Sequence, residues 1–183
     1  MQRSHVSLVS ASDEANNAAN AVAILHAPDV SPDAKLSVEL WLQNWCMSPS
    51  AWRTCLLLLN QPTLFLATDK KRAYFAGCLH SACQQSSGDV PDPLLQPSLV
   101  LEPTALLLLK AVPNPASEAE AKHLAAAMAS IAIRSVGWDP ASIIFDISKM
   151  LSRAAVAADP TRASGPGSVW ALTALLLVLQ SMA

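Results

Sequence analysis

The chain has 183 residues, of which 52% are hydrophobic and 14% are charged, with a formal net charge of −2 at pH 7. This composition excludes a disordered charged tail and a basic nucleic-acid-binding surface, so we expect no DNA or RNA partner. The presence of only 5 glycines disfavours an all-β sandwich and a glycine-rich phosphate loop, whereas abundant alanine and leucine favour helices.

The first half of the chain carries the start and stop signals of four helices. Residues 1–12 are predicted to form a flexible lead, and the acidic residues after Ser12 open the first helix. Ser31 is positioned to cap the second helix, with Pro32 at the first helical position, where the N–H that proline lacks would have no partner. The predicted helices cover residues 13–27, 32–47, 49–59 and 70–85.

Apolar residues recur at helical spacing in three of these segments and define the faces that we expect to be buried. On the second, third and fourth helices, respectively, they are Ala34, Val38, Trp41 and Trp45; Trp52, Cys55, Leu56 and Leu59; and Phe75, Leu79 and Ala82. Residues 70–72 form the only basic cluster, which we expect to be a solvated helix start, with contact to an acidic partner as the alternative.

Four more helices are predicted after a proline-bearing loop over residues 86–98. They cover residues 101–112, 117–136, 140–153 and 168–183. The sixth is expected to bury Leu124, Met128, Ile131 and Ser135, and the seventh to bury Ile143, Ile144, Ile147 and Leu151. The eighth carries no charge and has about 16 residues, fewer than the roughly 20 that a membrane span needs. We therefore expect protein to cover it.

Eight helices joined largely by short breaks, with no convincing period-two alternation, predict an all-α protein. Helix pairs restart near residues 13, 49, 100 and 139, at intervals that scatter around the length of a two-helix repeat. A stack of antiparallel helix pairs, an α-solenoid of four pairs, fits this spacing better than a closed four-helix bundle.

No residue pattern predicts catalysis or metal binding. Phosphate-loop, dinucleotide and nucleophile-elbow motifs are missing from the sequence, and His80 and His123 each lack a metal partner at i+4. The four cysteines, at positions 46, 55, 78 and 83, form no C-x-x-C pair, so we expect buried, reduced thiols. The sequence therefore indicates neither an enzyme nor a cofactor or metal site.

Six short segments follow one another in a distinctive order. They are AKLSVELWLQNW at residues 34–45, SPSAW at 48–52, CLLL at 55–58, YFA at 74–76, an alanine-rich segment at 124–132 that precedes Trp138, and a leucine-rich segment at 172–179. In this order they resemble the N-terminal region of importin-beta/exportin-type nuclear transport receptors, in particular the transportin-SR branch. The resemblance covers residues 13–180.

The resemblance implies HEAT-type repeats, with residues 13–183 forming a single α-solenoid that belongs to the N-terminal region of a longer receptor. It also implies binding of the GTPase Ran in its GTP form, contact with nuclear pore proteins, and a location in nucleus and cytoplasm. Protein cargo is expected to bind later repeats that this chain lacks.

Four polar residues lie opposite the apolar stripes of the second and fourth helices: Glu39, Gln43, His80 and Gln84. If these helices line the concave surface of the solenoid, the four side chains are candidate partner contacts. Ordinary solvated positions are the alternative interpretation. Two other functions stay open: a generic helical-repeat scaffold without a GTPase partner, and a small membrane protein anchored by residues 168–183.

Overall fold

The computed structural model describes residues 3–61, 68–85, 97–134, 140–158 and 166–182. Within these ranges the protein is helical, and none of the described residues is in a β-strand. The helices are α1 (Arg3–His26), α2 (Pro32–Cys46), α3 (Ala51–Asn60), α4 (Asp69–Gln85), α5 (Pro97–Ala111), α6 (Glu118–Arg134), α7 (Pro140–Ala158) and α8 (Pro166–Met182). A 3₁₀ turn, Pro115–Ser117, precedes α6. The all-α prediction is confirmed.

The helices pack in two layers. Helices α2, α4, α6 and α8 contact one another in sequence and form the even layer, and α1, α3, α5 and α7 form the odd layer in the same way. Each odd helix also packs against the even helix that follows it in the chain, which gives four helix pairs. Neighbouring pairs bury each other's apolar faces, as in a solenoid of helical repeats.

Three helices begin two or more residues earlier than the sequence predicts. α1 begins at Arg3, because residues 3–12 contain neither glycine nor proline to stop the helix from continuing backwards from Ser12. The expected lead is therefore helical from Arg3 onwards. α5 and α8 begin at Pro97 and Pro166, since proline is well tolerated in the first turn of a helix.

The cap of α2 is confirmed, but its buried face is rotated from the predicted one. Ser31 Oγ accepts a hydrogen bond from the Ala34 amide at 3.3 Å. Ala34 and Trp41 are exposed, whereas Leu42, Trp45 and Cys46 are buried. The predicted stripe is wrong at Trp41, because this ring stacks on the Trp45 ring, with 6.2 Å between the centroids, and the residue remains 42% exposed.

The predicted core positions of the other helices are largely confirmed. The buried ones are Trp52, Cys55, Leu56, Leu59, Phe75, Leu79, Ala82, Leu124, Met128, Ile131, Ile147 and Leu151. Ser135 and the side chains of Ile143 and Ile144 lie outside the part of the chain that the structure describes. The core therefore runs through both layers, and the contact between α4 and α6 lies at its centre.

A buried ion pair ties the even layer together. Arg72 on α4 donates to both carboxylate oxygens of Glu120 on α6, at 2.9 and 2.6 Å, and to the Leu59 carbonyl of α3 at 3.3 Å. Glu120 is only 1% exposed, so its charge depends on this two-point contact for compensation. The solvated helix start predicted for residues 70–72 is therefore wrong at Arg72, which pairs with an acidic residue of α6.

A second polar contact holds the first two pairs together. Glu14 on α1 accepts hydrogen bonds from the Trp45 indole of α2 at 2.6 Å and from the Ser50 hydroxyl before α3 at 2.9 Å. Ser50 therefore makes no side-chain cap for α3. Both partners of Glu14 are uncharged donors to a carboxylate, which gives stronger hydrogen bonds than neutral pairs. The orientation of α2 relative to α1 and α3 is fixed by this carboxylate.

The eighth helix is less covered than its composition predicts. Ala174 and Val178 are fully buried, but Val169, Leu172 and Leu176 are exposed on the opposite face. The helix packs on α6 and α7 by one side, so an uncharged sequence alone did not guarantee full burial. Among the described residues, no helix combines the length and the apolar character that crossing a membrane requires.

Candidate protein-binding surface

The four candidate contact residues lie on neighbouring helices of the even layer. Glu39 and Gln43 are exposed on α2, and Gln84 is exposed on α4, whereas His80 is partly buried. Because α2 and α4 contact each other, one partner can reach both helices. The four residues do not form one cluster, however, since His80 lies beside α6, on the side of α4 away from α2.

Glu39 is an exposed residue of α2, and Tyr74 is a half-buried residue of the neighbouring α4. Burial raises the pKa of the Tyr74 hydroxyl, and Cys78, Cys46 and Glu39 add smaller contributions in the same direction. The hydroxyl therefore stays protonated and can donate a hydrogen bond at neutral pH.

His80 pairs with His123 of α6 on the other side of α4. Their ring centroids are 6.5 Å apart and the rings are tilted by 38°. A Cβ added at Gly77 would lie 3.6 Å from the His123 ring, so the imidazole lies across this glycine. Burial lowers the pKa of His80, and the nearby His123 lowers it further. Sequence reasoning missed this pair because the two histidines belong to different helices and share no spacing signal.

An apolar stripe on the outer side of α2 was also missed. Leu36, Leu40 and Met47 are exposed at positions i, i+4 and i+11, opposite the buried Leu42. Gln43 lies on the same side of the helix. The helical spacing contains this signal, but the predicted apolar face of α2 includes Trp41, and the prediction treats the opposite face as polar. We call these three residues the α2 stripe.

The α2 stripe has the composition of a docking surface. Apolar residues exposed together and bordered by polar side chains mark interaction sites more often than single exposed leucines do. Glu39 and Gln43 provide such a border, and both side chains are exposed. Glu39 and Gln43 can therefore orient a partner, while the apolar side chains of the α2 stripe are removed from water when the partner covers them.

Within the described ranges, no group of three or more histidine, cysteine, aspartate or glutamate residues is arranged to hold a metal ion. The four cysteines are buried and form no disulfide. Comparisons with known protein families, with characterised proteins and with solved structures find no match for this chain.

Proposed function

We propose that the chain is a helical-repeat module of a nuclear transport receptor and that it binds Ran in the GTP form. The observation that carries the proposal is the exposed α2 stripe, which lies in the same layer as α4 in a solenoid of four helix pairs. The order of sequence segments that resembles importin-beta/exportin-type receptors supports the choice of partner. The resemblance extends over both helices of the proposed surface.

The α2 stripe supplies the apolar centre of the proposed contact. Interfaces of this kind combine an apolar, fully covered centre with a polar rim, and a few central side chains carry most of the affinity. Leu40 and Trp41 are adjacent and both exposed, so they can enter a pocket on the partner together. Glu39 and Gln43 then serve as rim contacts that set the orientation.

The packing beneath the surface keeps it rigid. Glu14 fixes Trp45 of α2, and Arg72 and Glu120 fix α4 against α6. A surface that is already ordered loses little conformational entropy when a partner binds. His80 and Gln84 are secondary contacts in this proposal, because they lie towards α6 and away from the stripe.

The wider transport role follows from the same proposal. Nuclear pore proteins are further partners, cargo binds to repeats beyond those of this chain, and the protein is found in both nucleus and cytoplasm. A generic scaffold for another protein is the second candidate, since the α2 stripe is equally suited to a partner that is not a GTPase.

Calorimetry with Ran loaded with GTP or with GDP tests the proposal. We expect heat of binding with the GTP form and none with the GDP form. Leu40→Lys should weaken the binding at least about tenfold, because a charge replaces an apolar contact at the centre. Leu176→Lys is the matched control, since Leu176 is similarly exposed, at 59% against 52%, but lies on α8.

Equal affinity for the two nucleotide forms would contradict the proposal. If neither form binds to a sample whose circular dichroism shows intact helices, the second candidate function, a generic scaffold, is favoured. Equal losses from Leu40→Lys and Leu176→Lys would show that the α2 stripe is not the contact.

A further inference from the structure

Two histidines face each other where α4 packs against α6. His80 belongs to α4 and His123 to α6, and their ring centroids are 6.5 Å apart, with a tilt of 38° between the rings. His80 is partly buried and His123 is exposed, so solvent reaches the pair from one side. Neutral imidazole is the side-chain group that most often binds metal ions in proteins.

The His123 ring lies across Gly77, a residue of α4. Gly77 comes three positions before His80, so both are on the same side of that helix. A Cβ added at Gly77 would lie 3.6, 3.7 and 3.8 Å from Cε1, Nε2 and Cδ2 of His123, respectively. These three atoms form the end of the imidazole that carries Nε2. One ring nitrogen of His123 is therefore held against α4, one helical turn from the His80 ring.

We infer that His80 and His123 bind one divalent transition-metal ion of the class that imidazole suits, such as Ni²⁺ or Zn²⁺, and that the ion bridges α4 and α6. The sequence predicts no metal site, because neither histidine has a partner at i+4 on its own helix. Among the described residues, no third histidine, cysteine, aspartate or glutamate is arranged to join the pair. Water therefore fills the other coordination positions. The inference does not depend on Ran binding.

The separation of the two rings matches the space that one ion needs. A bond from a metal ion to an imidazole nitrogen is about 2.0–2.1 Å long, and each nitrogen lies about 1 Å from its ring centre. Two imidazoles on opposite sides of one ion therefore have centroids roughly 6.3 Å apart, against 6.5 Å in this structure. A bent arrangement brings the rings closer, which requires only a rotation of the exposed His123 side chain.

The surroundings of the pair favour the neutral ring that a metal ion requires. Burial and the neighbouring His123 lower the pKa of His80, so this imidazole is neutral at physiological pH. Glu120 lies one turn before His123, but both of its carboxylate oxygens accept hydrogen bonds from Arg72. Because that carboxylate is engaged, the protein supplies two ligands, and the affinity is lower than that of a structural zinc site with four protein ligands.

Nuclear magnetic resonance of the full-length chain with Ni²⁺ locates the site. Ni²⁺ is paramagnetic and broadens the signals of nearby nuclei. At about pH 7.5, where the imidazoles are neutral, we expect one equivalent of Ni²⁺ to broaden the amide signals of residues 77–84 and 119–127. The signals of α1 should stay sharp. Ni²⁺ should also raise the midpoint of thermal unfolding, because it binds two helices that separate in the unfolded chain.

Calorimetric titrations of variants with Ni²⁺ assign the two ligands. His80→Gln and His123→Gln should each weaken the binding at least about tenfold, because one imidazole cannot bridge the helices. His26→Gln is the matched control and should leave the affinity unchanged, since His26 ends α1, where its Nδ1 lies 2.9 Å from the Val22 carbonyl oxygen.

Three results would overturn the metal site. The first is broadening centred on α1 or on the cysteines. The second is an affinity for Ni²⁺ that is the same in His80→Gln as in the unsubstituted chain. The third is an equal loss in His26→Gln and His80→Gln. The spectrum of the unsubstituted protein decides the matter even if a variant fails to fold.

Discussion

Helices α6 and α8 have the same length and lie next to each other in the even layer, but their burial differs. α6 is packed between α4 and α8 and against α5, and its Leu124 is completely buried. α8 is the more apolar of the two, yet Leu172 remains 61% exposed. Burial in a stack of helices therefore depends on the number of neighbouring helices, and the helix's own composition does not determine it.

The largest expected loss of stability comes from breaking the ion pair that joins α6 to α4. Arg72→Ala leaves the buried Glu120 carboxylate without its partner, and removing one member of a buried pair costs about 3–5 kcal/mol. Lys122→Ala is the control on the same helix, because it breaks the exposed contact with Glu118. Urea unfolding should show a large loss for the first variant and no measurable loss for the second. Equal effects would mean that Glu120 is not buried in solution.

The same substitution on the two helices tests the comparison directly. Leu124→Ala should lower the free energy of unfolding by about 3 kcal/mol, because it removes a fully buried side chain and leaves a cavity. Leu172→Ala should change it by less than about 0.5 kcal/mol, since most of that side chain is already in water. If both variants lost similar stability, another part of the protein or a second copy would cover α8.

A smaller effect is expected from pH at the contact of α4 with α6. The pKa of His80 is lowered from the usual 6.5 by burial and by His123, so the folded state binds its proton less readily than the unfolded state. The contribution of neutral His80 to the free energy of unfolding is therefore fully present above pH 6.5. It is lost as the pH falls through the lowered pKa.

The variant His80→Gln should remove this part of the acid sensitivity, and His123→Gln should reduce it by raising the pKa of His80. Urea titrations from about pH 7.5 to about pH 5 measure how steeply the free energy of unfolding changes with pH. An unchanged slope in His80→Gln would contradict the assignment of the proton to this residue.

The sequence predicted the parts of the fold that depend on local signals. Ser31 and Pro32 start α2 as expected, and the stripes of α3, α4 and α6 are buried. A helical period defines which residues share a face, but neighbouring helices decide how much of that face is covered. This explains why Leu42 is buried in α2 where the prediction had chosen Trp41.

The sequence alone could not predict contacts between segments that lie far apart along the chain. Arg72 and Glu120 look like ordinary charges near helix starts, and only the packing of α4 on α6 brings them together. Of the candidate site residues, Glu39 and Gln43 are exposed on α2, as their positions opposite the predicted apolar face imply. The α2 stripe was missed because helical spacing shows that Leu36 and Leu40 share a face, but not that this face stays exposed.

Hydrogen–deuterium exchange of the chain with Ran tests the proposed surface most directly. With Ran in the GTP form, we expect slower exchange in peptides from α2 and α4, at residues 32–47 and 69–85, and unchanged exchange in α8. With the GDP form, no peptide should change. Slower exchange confined to α8, or no change with the GTP form in a helical sample, would contradict the account.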